Sequence, residues 1–220
     1  MKAIIISDLH LGARFSLSRH FENFLKALPE EWDLILNGDV VDKHGKSLTP
    51  SDQRILALIK KESFHRKVVW VRGNHDSHFL LEEPEKIDFK GMYRLGNQLL
   101  IAHGDVFDRL WGRNRVAVDT VRFMGNIWLG LGGQDVNLAQ MVKRFKMFYK
   151  YYCKYLMQKA VCYARQHGFA AVTCGHTHNA EDRVFDGIRY INTGCWTEWP
   201  AYYLRVNGQE MTLNIAGGGE

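Results

Sequence analysis

Residues 2–12 read KAIIISDLHLG, a short apolar run that ends abruptly in carboxylate and imidazole side chains. The same pattern returns twice, as DLILNGDVVD at residues 33–42 and as KVVWVRGNHD at residues 67–76. Short runs rich in Ile, Leu and Val are typical of buried strands. Between these runs, residues 16–28 and 50–61 carry apolar side chains at helical spacing. This alternation of strand and helix predicts parallel strands joined by crossover helices, and therefore an α/β fold.

The rest of the chain predicts more strands and one helical segment. The strand patterns are a hairpin at 93–102 around Gly96-Asn97, a strand at 170–174, and hairpins at 183–192 and 202–215 with turns at Asp186-Gly187 and Asn207-Gly208. Residues 107–167 instead read as helical, with several glycines interrupting the pattern. We therefore predict one domain over residues 1–220, with a helical insert or lid at about residues 107–168.

The bulk composition is typical of one cytoplasmic globular domain. A chain of 220 residues can bury one sizeable core but is too short for two comfortable domains. Its hydrophobic share of 46% and charged share of 24% are ordinary. The first apolar stretch, residues 3–6, is too short for a signal peptide or a membrane span. The four cysteines show no C-x-x-C spacing, so we expect reduced, mostly buried thiols.

The positive charge of the chain is concentrated in the predicted insert. Residues 109–167 hold 11 Lys or Arg residues but only two acidic residues, against a net charge of +5 for the whole chain. A basic segment on a neutral-to-acidic body is the part expected to meet an anionic surface or substrate.

The polar residues that interrupt the apolar pattern all follow predicted strands. They are Asp8 and His10, Asp39 and Asp42, Asn74 to Asp76, His103 to Asp105, and His176 and His178. In α/β sheets, functional sites assemble at the carboxyl ends of the strands. Asp8 and His10 are two residues apart, so at a strand end they point the same way. Mixed imidazole and carboxylate ligands suit Mn, Fe, Zn or Co better than Mg or Ca.

These residue types predict a site for two metal ions. A carboxylate has two oxygens, and Asp39 is the natural candidate to bridge two cations. Two ions ~3.5–4 Å apart clamp a phosphoryl group and lower the pKa of a bridging water, which gives a hydroxide nucleophile. Gly38, Gly73 and Gly175 precede candidate ligands and are predicted to let the backbone turn sharply.

The ordered motifs D-x-H, G-D-x-x-D, G-N-H-D, H-G-D and G-H-T-H resemble those of the calcineurin-like metallophosphoesterases. The resemblance covers residues 8–178 and implies a four-layer αββα sandwich with a dinuclear site, with Mn2+ as the expected metal. It also implies two ligand sets: Asp8, His10, Asp39 and His178 for one ion, and Asp39, Asn74, His103 and His176 for the other.

By the same resemblance, His75 would sit over the phosphoryl group and protonate the leaving oxygen, with a purely positioning role as the alternative. Asp42 and Asp76 would orient the ligands and the catalytic histidine. Either carboxylate could instead simply cap a helix. Arg14 and Asn74 are weaker candidates for contacts with the substrate phosphate, and Arg14 could equally be a surface arginine.

A narrower resemblance is to the UDP-2,3-diacylglucosamine hydrolase group. It rests on D-L-H-L-G at residues 8–12, H-G-D-V-F-D at residues 103–108, N-T-G-C-W at residues 192–196, and the long helical insert. It implies hydrolysis of the substrate pyrophosphate to lipid X and UMP, with the insert capping the site and receiving acyl chains. Well-studied members carry Arg at the position of His75, and relatives with G-N-H-D often carry Asp at the position of Cys195.

The insert itself partly supports a lipid substrate. It contains an apolar run at residues 123–131 and an aromatic stripe formed by Phe145, Phe148, Tyr149, Tyr152 and Tyr155, with lysines interleaved. A basic amphipathic helix with aromatic residues suits an anionic membrane interface. We therefore expect a peripheral protein on the cytoplasmic face of the inner membrane. The alternatives are aromatic packing against the domain body and an ordinary solvated basic face.

Three other functions compete with lipid pyrophosphate hydrolysis. One is a soluble phosphatase or phosphodiesterase acting on nucleotides or phosphoproteins, with the insert as a lid. Another is a nuclease, but the long apolar run and the lack of a recognisable DNA-reading module argue against a nucleic acid partner. The last is a non-catalytic scaffold, against which the complete ligand set argues.

Overall fold

The computed structural model describes residues 1–42, 48–108 and 146–217. Within these residues the strands form two sheets. The first contains β1 (Lys2–Ile6), β2 (Asp33–Asn37), β3 (Val68–Val71), β4 (Asp88–Lys90), β10 (Tyr202–Asn207) and β11 (Glu210–Ile215). The second contains β5 (Tyr93–Leu95), β6 (Leu99–Ile101), β7 (Ala171–Cys174), β8 (Glu181–Phe185) and β9 (Ile188–Asn192). The helices are α1 (Ser18–Ala27), α2 (Pro50–Glu62) and α3 (Lys146–Gln166).

The first sheet has the order β11-β10-β1-β2-β3-β4. Strands β1, β2, β3 and β4 run parallel, and β10 pairs antiparallel with β1. The parallel arrangement of the first three strands confirms the prediction from the sequence. Strand β4 was not predicted, because three residues with one apolar side chain give too short a pattern to recognise.

The second sheet has the order β5-β6-β7-β9-β8. The predicted hairpins are present as the antiparallel pairs β5–β6, β8–β9 and, in the first sheet, β10–β11. Strand β7 runs parallel to both of its neighbours, β6 and β9. Its carboxyl end therefore lies beside that of β6.

Alternation along the strands divides the apolar side chains between two faces. Ala3 and Ile5 of β1 belong to the core between the two sheets, which also includes Ile101 and Ile191 of the second sheet. Ile4, the residue between them, belongs instead to the core between the first sheet and helices α1 and α2. Because successive strand residues point to opposite faces, one apolar run serves both cores.

The second sheet has a matching outer core. Val172 and Tyr190 pack with Met157 and Ala160 of α3, and Phe107 of the short 3-10 turn at residues 105–107 joins them. Helices therefore lie outside both sheets, and the predicted four-layer αββα arrangement is confirmed. The turn and α3 together bring the helix close to the residues that follow β6.

Helix α2 begins where its sequence predicts. The Thr49 side chain accepts from the backbone N–H of Asp52, and the Asp52 side chain accepts from the Thr49 backbone. Pro50 occupies the first turn, where no N–H is needed. Thr49, rather than Ser51, is thus the cap.

Most of the predicted insert lies outside the described residues, namely residues 109–145, which include the apolar run and Phe145. The prediction of a single domain with an insert at 107–168 stays a prediction. In the described part of the chain, no helix combines the length and hydrophobicity that crossing a membrane requires.

Candidate metal centre

The predicted ligands converge at the carboxyl ends of strands β1, β2, β3, β6 and β7. Six of them form two clusters in which the ligand atoms lie within 4.8 Å of one another: Asp8, His10 and His178, and Asp39, His103 and His176. A third cluster of His10, Asp39 and His75 joins the first two. Asn74 lies between two residues that contact Asp39, namely Gly73 and His75. Segments far apart in sequence therefore build one continuous polar centre.

The first cluster surrounds the Asp8 carboxylate. His178 Nε2 lies 3.1 Å from Asp8 Oδ1 and 3.3 Å from His10 Nε2. His10 Nε2 is 3.9 Å from the same Asp8 oxygen. Two imidazole nitrogens that face each other across one carboxylate oxygen are suitably placed to share a cation.

The second cluster surrounds Asp39. Its Oδ2 lies 3.2 Å from His103 Nε2 and 3.8 Å from His10 Nε2. The His75 backbone N–H donates to the other oxygen, Oδ1, at 2.8 Å. Asp39 therefore has ring nitrogens from both clusters around one oxygen, which is the geometry that a bridging carboxylate requires.

A divalent cation fits this donor set electrostatically. Asp8 and Asp39 are almost fully buried, at 0% and 2% exposure. Among the described residues, the ion-pair partners of these two carboxylates are histidines, with no Lys or Arg. Burying two carboxylates without a fixed positive charge is costly. Bound cations would supply the missing charge.

Two buried atoms point to the same conclusion. Asn74 Oδ1 and His103 Nε2 have no hydrogen-bond partner although both are buried. The His103 Nδ1–H donates to the Asn37 carbonyl at 2.9 Å, and a carbonyl can only accept. In the neutral form that binds a metal, the ring therefore keeps its lone pair on Nε2, the nitrogen that faces Asp39. Both atoms are suitable metal ligands that would otherwise be unsatisfied.

The pKa values of the clustered histidines respond to the buried carboxylates. Burial lowers the pKa of His10 to about 4, so this ring is neutral and ready to bind a metal. Burial also disfavours the charged form of His178, but the Asp8 carboxylate overrides it and raises the pKa to about 10. Asp39 and Asp8 likewise raise the pKa of His103 well above its usual range, against the effect of burial. Metal ions would replace these protons.

The backbone at the ligands is in an uncommon conformation. Asp8, His10, Asp39, His176 and His178 have φ values of 57°, 47°, 51°, 63° and 55°. Non-glycine residues adopt this left-handed region rarely, and they cluster at functional sites when they do. The loops thus aim five side chains inward at a cost in backbone energy.

The motif glycines differ in their backbone conformation. Gly38 has a positive φ, whereas Gly73 and Gly175 allow a carboxylate to approach the backbone closely. Gly38 has a positive φ of 83°, as the sequence analysis predicts. Gly73 and Gly175 are not in this region, and close packing gives a further reason for glycine there. A Cβ on Gly73 would overlap Asp39 Oδ1, and one on Gly175 would overlap Asp8 Oδ2. These positions must lack a side chain because the carboxylates pack directly on the backbone.

His75 stands at the open side of the centre. Its side chain is 25% exposed, and its Nε2 lies 4.0 Å from Asp39 Oδ2. Its Nδ1 lies 2.8 Å from Asp42 Oδ1. Burial lowers the pKa of His75, but the hydrogen bond to Asp42 and the Asp39 charge raise it overall. The Asp42 contact therefore restrains the ring and favours its protonated form.

Asp76 is fully buried and holds loops in place. Its Oδ2 accepts from the Val40 N–H and the Trp70 indole N–H, both at 2.9 Å, and its Oδ1 accepts from the Gly73 N–H at 2.7 Å. The carboxylate thereby ties the loop after β2 to the loop after β3. This is a positioning role, and Asp76 does not belong to the metal-binding clusters found among the described residues.

Comparison with known proteins identifies the family. Residues 1–180 match the calcineurin-like phosphoesterases. The chain belongs to the calcineurin-like phosphoesterase family. Members of this family normally bind two divalent metal ions, and the His/Asp clusters fit two ions.

Two solved structures with TM-scores of 0.50 or more share the fold at low sequence identity. A Vps29 single mutant from Entamoeba histolytica is 16% identical, with 98% of this chain and 91% of that chain covered and a TM-score of 0.51. Vacuolar protein sorting 29 from Cryptosporidium parvum is 14% identical, with 97% and 95% covered and a TM-score of 0.50. The phosphoesterase Yfce from E. coli is 17% identical, with 99% and 100% covered and a TM-score of 0.45. No curated protein matches the chain.

The remaining predicted residue of this phosphoesterase, Arg14, lies in the turn after His10 and is exposed. Two supporting residues were not singled out from the sequence. Asp108 contacts His176, and Asn192 donates to the Gly175 carbonyl at 2.7 Å and to Thr177 Oγ1 at 3.1 Å. Asp108 ends H-G-D-V-F-D and Asn192 begins N-T-G-C-W, so both lay within motifs that were recognised.

Proposed function

We propose that this calcineurin-like phosphoesterase is a dinuclear-metal hydrolase that cleaves the pyrophosphate of UDP-2,3-diacylglucosamine to lipid X and UMP. The observation that supports two-metal hydrolysis is the pair of His/Asp clusters that meet at His10 and Asp39. The substrate rests on the sequence motifs shared with the UDP-2,3-diacylglucosamine hydrolase group. Mn2+ is the proposed metal, and Fe, Zn or Co would suit the same ligands.

In this proposal each ion has four protein ligands. The sets are Asp8, His10, Asp39 and His178 for one ion, and Asp39, Asn74, His103 and His176 for the other. Two divalent ions at such a site polarise phosphoryl oxygens and lower the pKa of bound water. The protein contributes a fixed, buried cradle whose carboxylates accept hydrogen bonds from the His75 and His176 backbone N–H groups. The cradle holds the reacting groups without reorganisation.

His75 is the proposed general acid. The Asp42 carboxylate accepts the proton on Nδ1, so Nε2, which lies 4.0 Å from Asp39 Oδ2, would carry the proton to be transferred. The hydrogen bond to Asp42 and the Asp39 charge raise the pKa of His75, which favours the protonated ring that a general acid requires. Arg14 and Asn74 are the proposed, weaker contacts to substrate phosphate.

The insert is the proposed contact with lipid. Lys150 and Lys154 of α3 are exposed, in keeping with a basic face that could meet an anionic membrane surface. We place the protein on the cytoplasmic face of the inner membrane, with a lipid-linked nucleotide sugar as substrate. Nucleic acid is not a proposed partner.

One observation favours a second candidate, a phosphatase or phosphodiesterase with water-soluble substrates. Tyr149 donates to the Thr177 carbonyl at 2.7 Å, and Tyr152 donates to Asp108. These two members of the aromatic stripe are thus engaged with the domain body, and not free to line a lipid surface. In this alternative α3 braces the site and the insert is only a lid.

The test is release of UMP from UDP-2,3-diacylglucosamine in detergent micelles with Mn2+, beside hydrolysis of bis-p-nitrophenyl phosphate. We expect cleavage of the lipid substrate that an Asp39→Ala variant loses. Hydrolysis of the generic diester alone would keep the phosphoesterase and reject the lipid substrate. If neither compound were cleaved by Mn2+-loaded protein, two-metal hydrolysis itself would be rejected.

A further inference from the structure

Helix α3 reaches the metal centre through a buried carboxylate that the phosphoesterase motifs leave without a role. Asp108 is 6% exposed, and its Oδ2 lies 3.1 Å from His176 Nε2. The Tyr152 hydroxyl, from the second turn of α3, donates to the same oxygen. A continuous line of contacts therefore runs from Tyr152 through Asp108 to a predicted metal ligand.

The chemistry of these groups sets the direction of the hydrogen bonds. An ionised carboxylate only accepts, so the His176 Nε2 must carry the proton that it shares with Asp108. The lone pair of the neutral ring is then on Nδ1. A metal-binding histidine typically donates its other ring N–H to a carboxylate, and this partner fixes both the tautomer and the orientation of the ring. The contact between Asp108 and His176 matches that arrangement.

Tyr152 is well suited to hold Asp108. Its side chain is buried, and burial together with the neighbouring Asp108 charge raises the pKa of its hydroxyl. The hydroxyl therefore keeps its proton and remains a donor. One helical turn away, Tyr149 donates to the backbone carbonyl of Thr177, the residue between His176 and His178. Tyr149 thus contacts the ligand loop directly, and Tyr152 contacts it through Asp108.

The packing around this line leaves little freedom for it to move. Phe107, next to Asp108, packs in one core with Met157 of α3, and its ring lies 5.5 Å from that of Tyr163. Leu156 and the His176 Cβ both approach Gly104, the glycine after His103. The helix, the turn after β6 and the loop after β7 therefore form one packed unit.

We propose that Asp108 and Tyr152 are positioning residues for His176, through which helix α3 sets the affinity for one of the two metal ions. The inference rests on the proposed metal site and concerns only the ion held by Asp39, Asn74, His103 and His176. Asp108 does not belong to the metal-binding clusters found among the described residues, so its role is to present the histidine and not to bind the ion directly.

The experiment compares three variants with wild type by titrating the purified full chain with Mn2+ in a calorimeter. Asp108→Asn keeps the shape but weakens the acceptor, and Tyr152→Phe removes only the hydroxyl. Tyr151→Phe is the matched control, since Tyr151 is the preceding residue of α3 and is 65% exposed. We expect a loss of about 10- to 100-fold in affinity for one ion in Asp108→Asn. We expect about 10-fold or less in Tyr152→Phe, and no change in Tyr151→Phe.

A second measurement does not depend on any variant folding. Nitrogen-15 NMR of the imidazole rings, with Zn2+ as a diamagnetic metal, reports which nitrogen of His176 carries the proton. We expect a proton on Nε2. A proton on Nδ1, or Mn2+ affinities in Asp108→Asn equal to those of wild type, would overturn the proposal. If wild type bound no metal at all, the proposed function itself would fail, which is a distinguishable result.

Discussion

The loops of the first sheet and those of the second sheet secure their ligands in different ways. In the first sheet, Asp76 lies within the loops themselves and accepts from the backbone N–H groups of Val40 and Gly73. In the second sheet, the loop after β7 is held from outside, by Asn192 of β9, by Tyr149 of α3 and, through Asp108, by Tyr152. One half of the centre is held by a carboxylate of its own loops, whereas the other depends on side chains of a strand and a helix outside its loop.

The two halves meet at Asp8. This residue follows β1 of the first sheet, yet its carboxylate accepts from the backbone N–H of His176, which follows β7. Nearby, Ser7 Oγ and Thr193 Oγ1 lie 2.7 Å apart across the same junction. Metal binding should therefore be weakened by substitutions in either half of the centre, but the substitutions that weaken it lie in different elements. Loop-internal changes should act on the first half, and changes in α3 or β9 on the second.

The largest effect is expected at His75, which belongs entirely to the first-sheet loops. His75→Ala should lower kcat by about 10²- to 10⁴-fold because the proposed general acid is lost, while the proposed metal ions stay bound. Steady-state kinetics on bis-p-nitrophenyl phosphate, together with metal analysis, checks both statements. His78→Ala, at an exposed position three residues on, is the control and should behave like wild type. Wild-type turnover by His75→Ala would remove the acid from the mechanism.

The next effect concerns the glycines that touch the two buried carboxylates, one in each half. Gly73→Ala should displace Asp39, and Gly175→Ala should displace Asp8, because each new Cβ would overlap a carboxylate oxygen. A misplacement of about 1 Å can cost about 10²-fold in rate, so we expect at least that loss from both. Gly91→Ala is the control, since nothing lies within 4 Å of the added Cβ. Full activity in either glycine variant would mean that the loops and carboxylates can shift to accommodate the added Cβ, contrary to what their close packing indicates.

The smallest effect, on stability, tests the comparison directly. Asp76→Ala leaves the Val40, Gly73 and Trp70 N–H groups without their acceptor, and should lower the free energy of unfolding by about 3 kcal/mol. Asn192→Ala leaves one backbone N–H, that of Gly194, without its acceptor and removes the donor to the Gly175 carbonyl, and should cost about 2 kcal/mol. Urea unfolding of metal-free protein measures both, with Asn214→Ala as a control whose amide contacts only nearby Thr212. A larger cost for Asn192→Ala would reverse the view that the first half carries more of the loop stability.

Much of the fold could be predicted because its strands are short, apolar and followed at once by polar motifs. The order of strands in each sheet could not be predicted. The apolar pattern of a strand such as β7 does not specify that β9 is its partner, or in which register the two strands pair. Strand β4 was missed for want of apolar residues. The layer arrangement came from the family resemblance, and the division of Ile4 and Ile5 between two cores bears it out.

The candidate site was predictable as a set of residues, but its supporting contacts were not. Ligand types and their position after strands are local in sequence, whereas the Tyr152–Asp108 contact joins residues 44 positions apart. The reason why positions 73 and 175 are glycine could not be predicted either. A glycine that is required by a nearby carboxylate looks the same in the sequence as a glycine that is required by a turn. Asp42 beside His75 was anticipated through the family motifs alone.

The left-handed backbone at Asp8, His10, Asp39, His176 and His178 has an evolutionary consequence. Each such residue costs about 1 kcal/mol or more that a glycine would not. Selection for heat resistance alone would therefore favour glycine at these five positions and erase the site. A descendant that no longer needed hydrolysis would be free to drift in that direction. Asp and His at positions where glycine would be less strained are therefore explained by the chemistry of their side chains and not by the stability of the backbone.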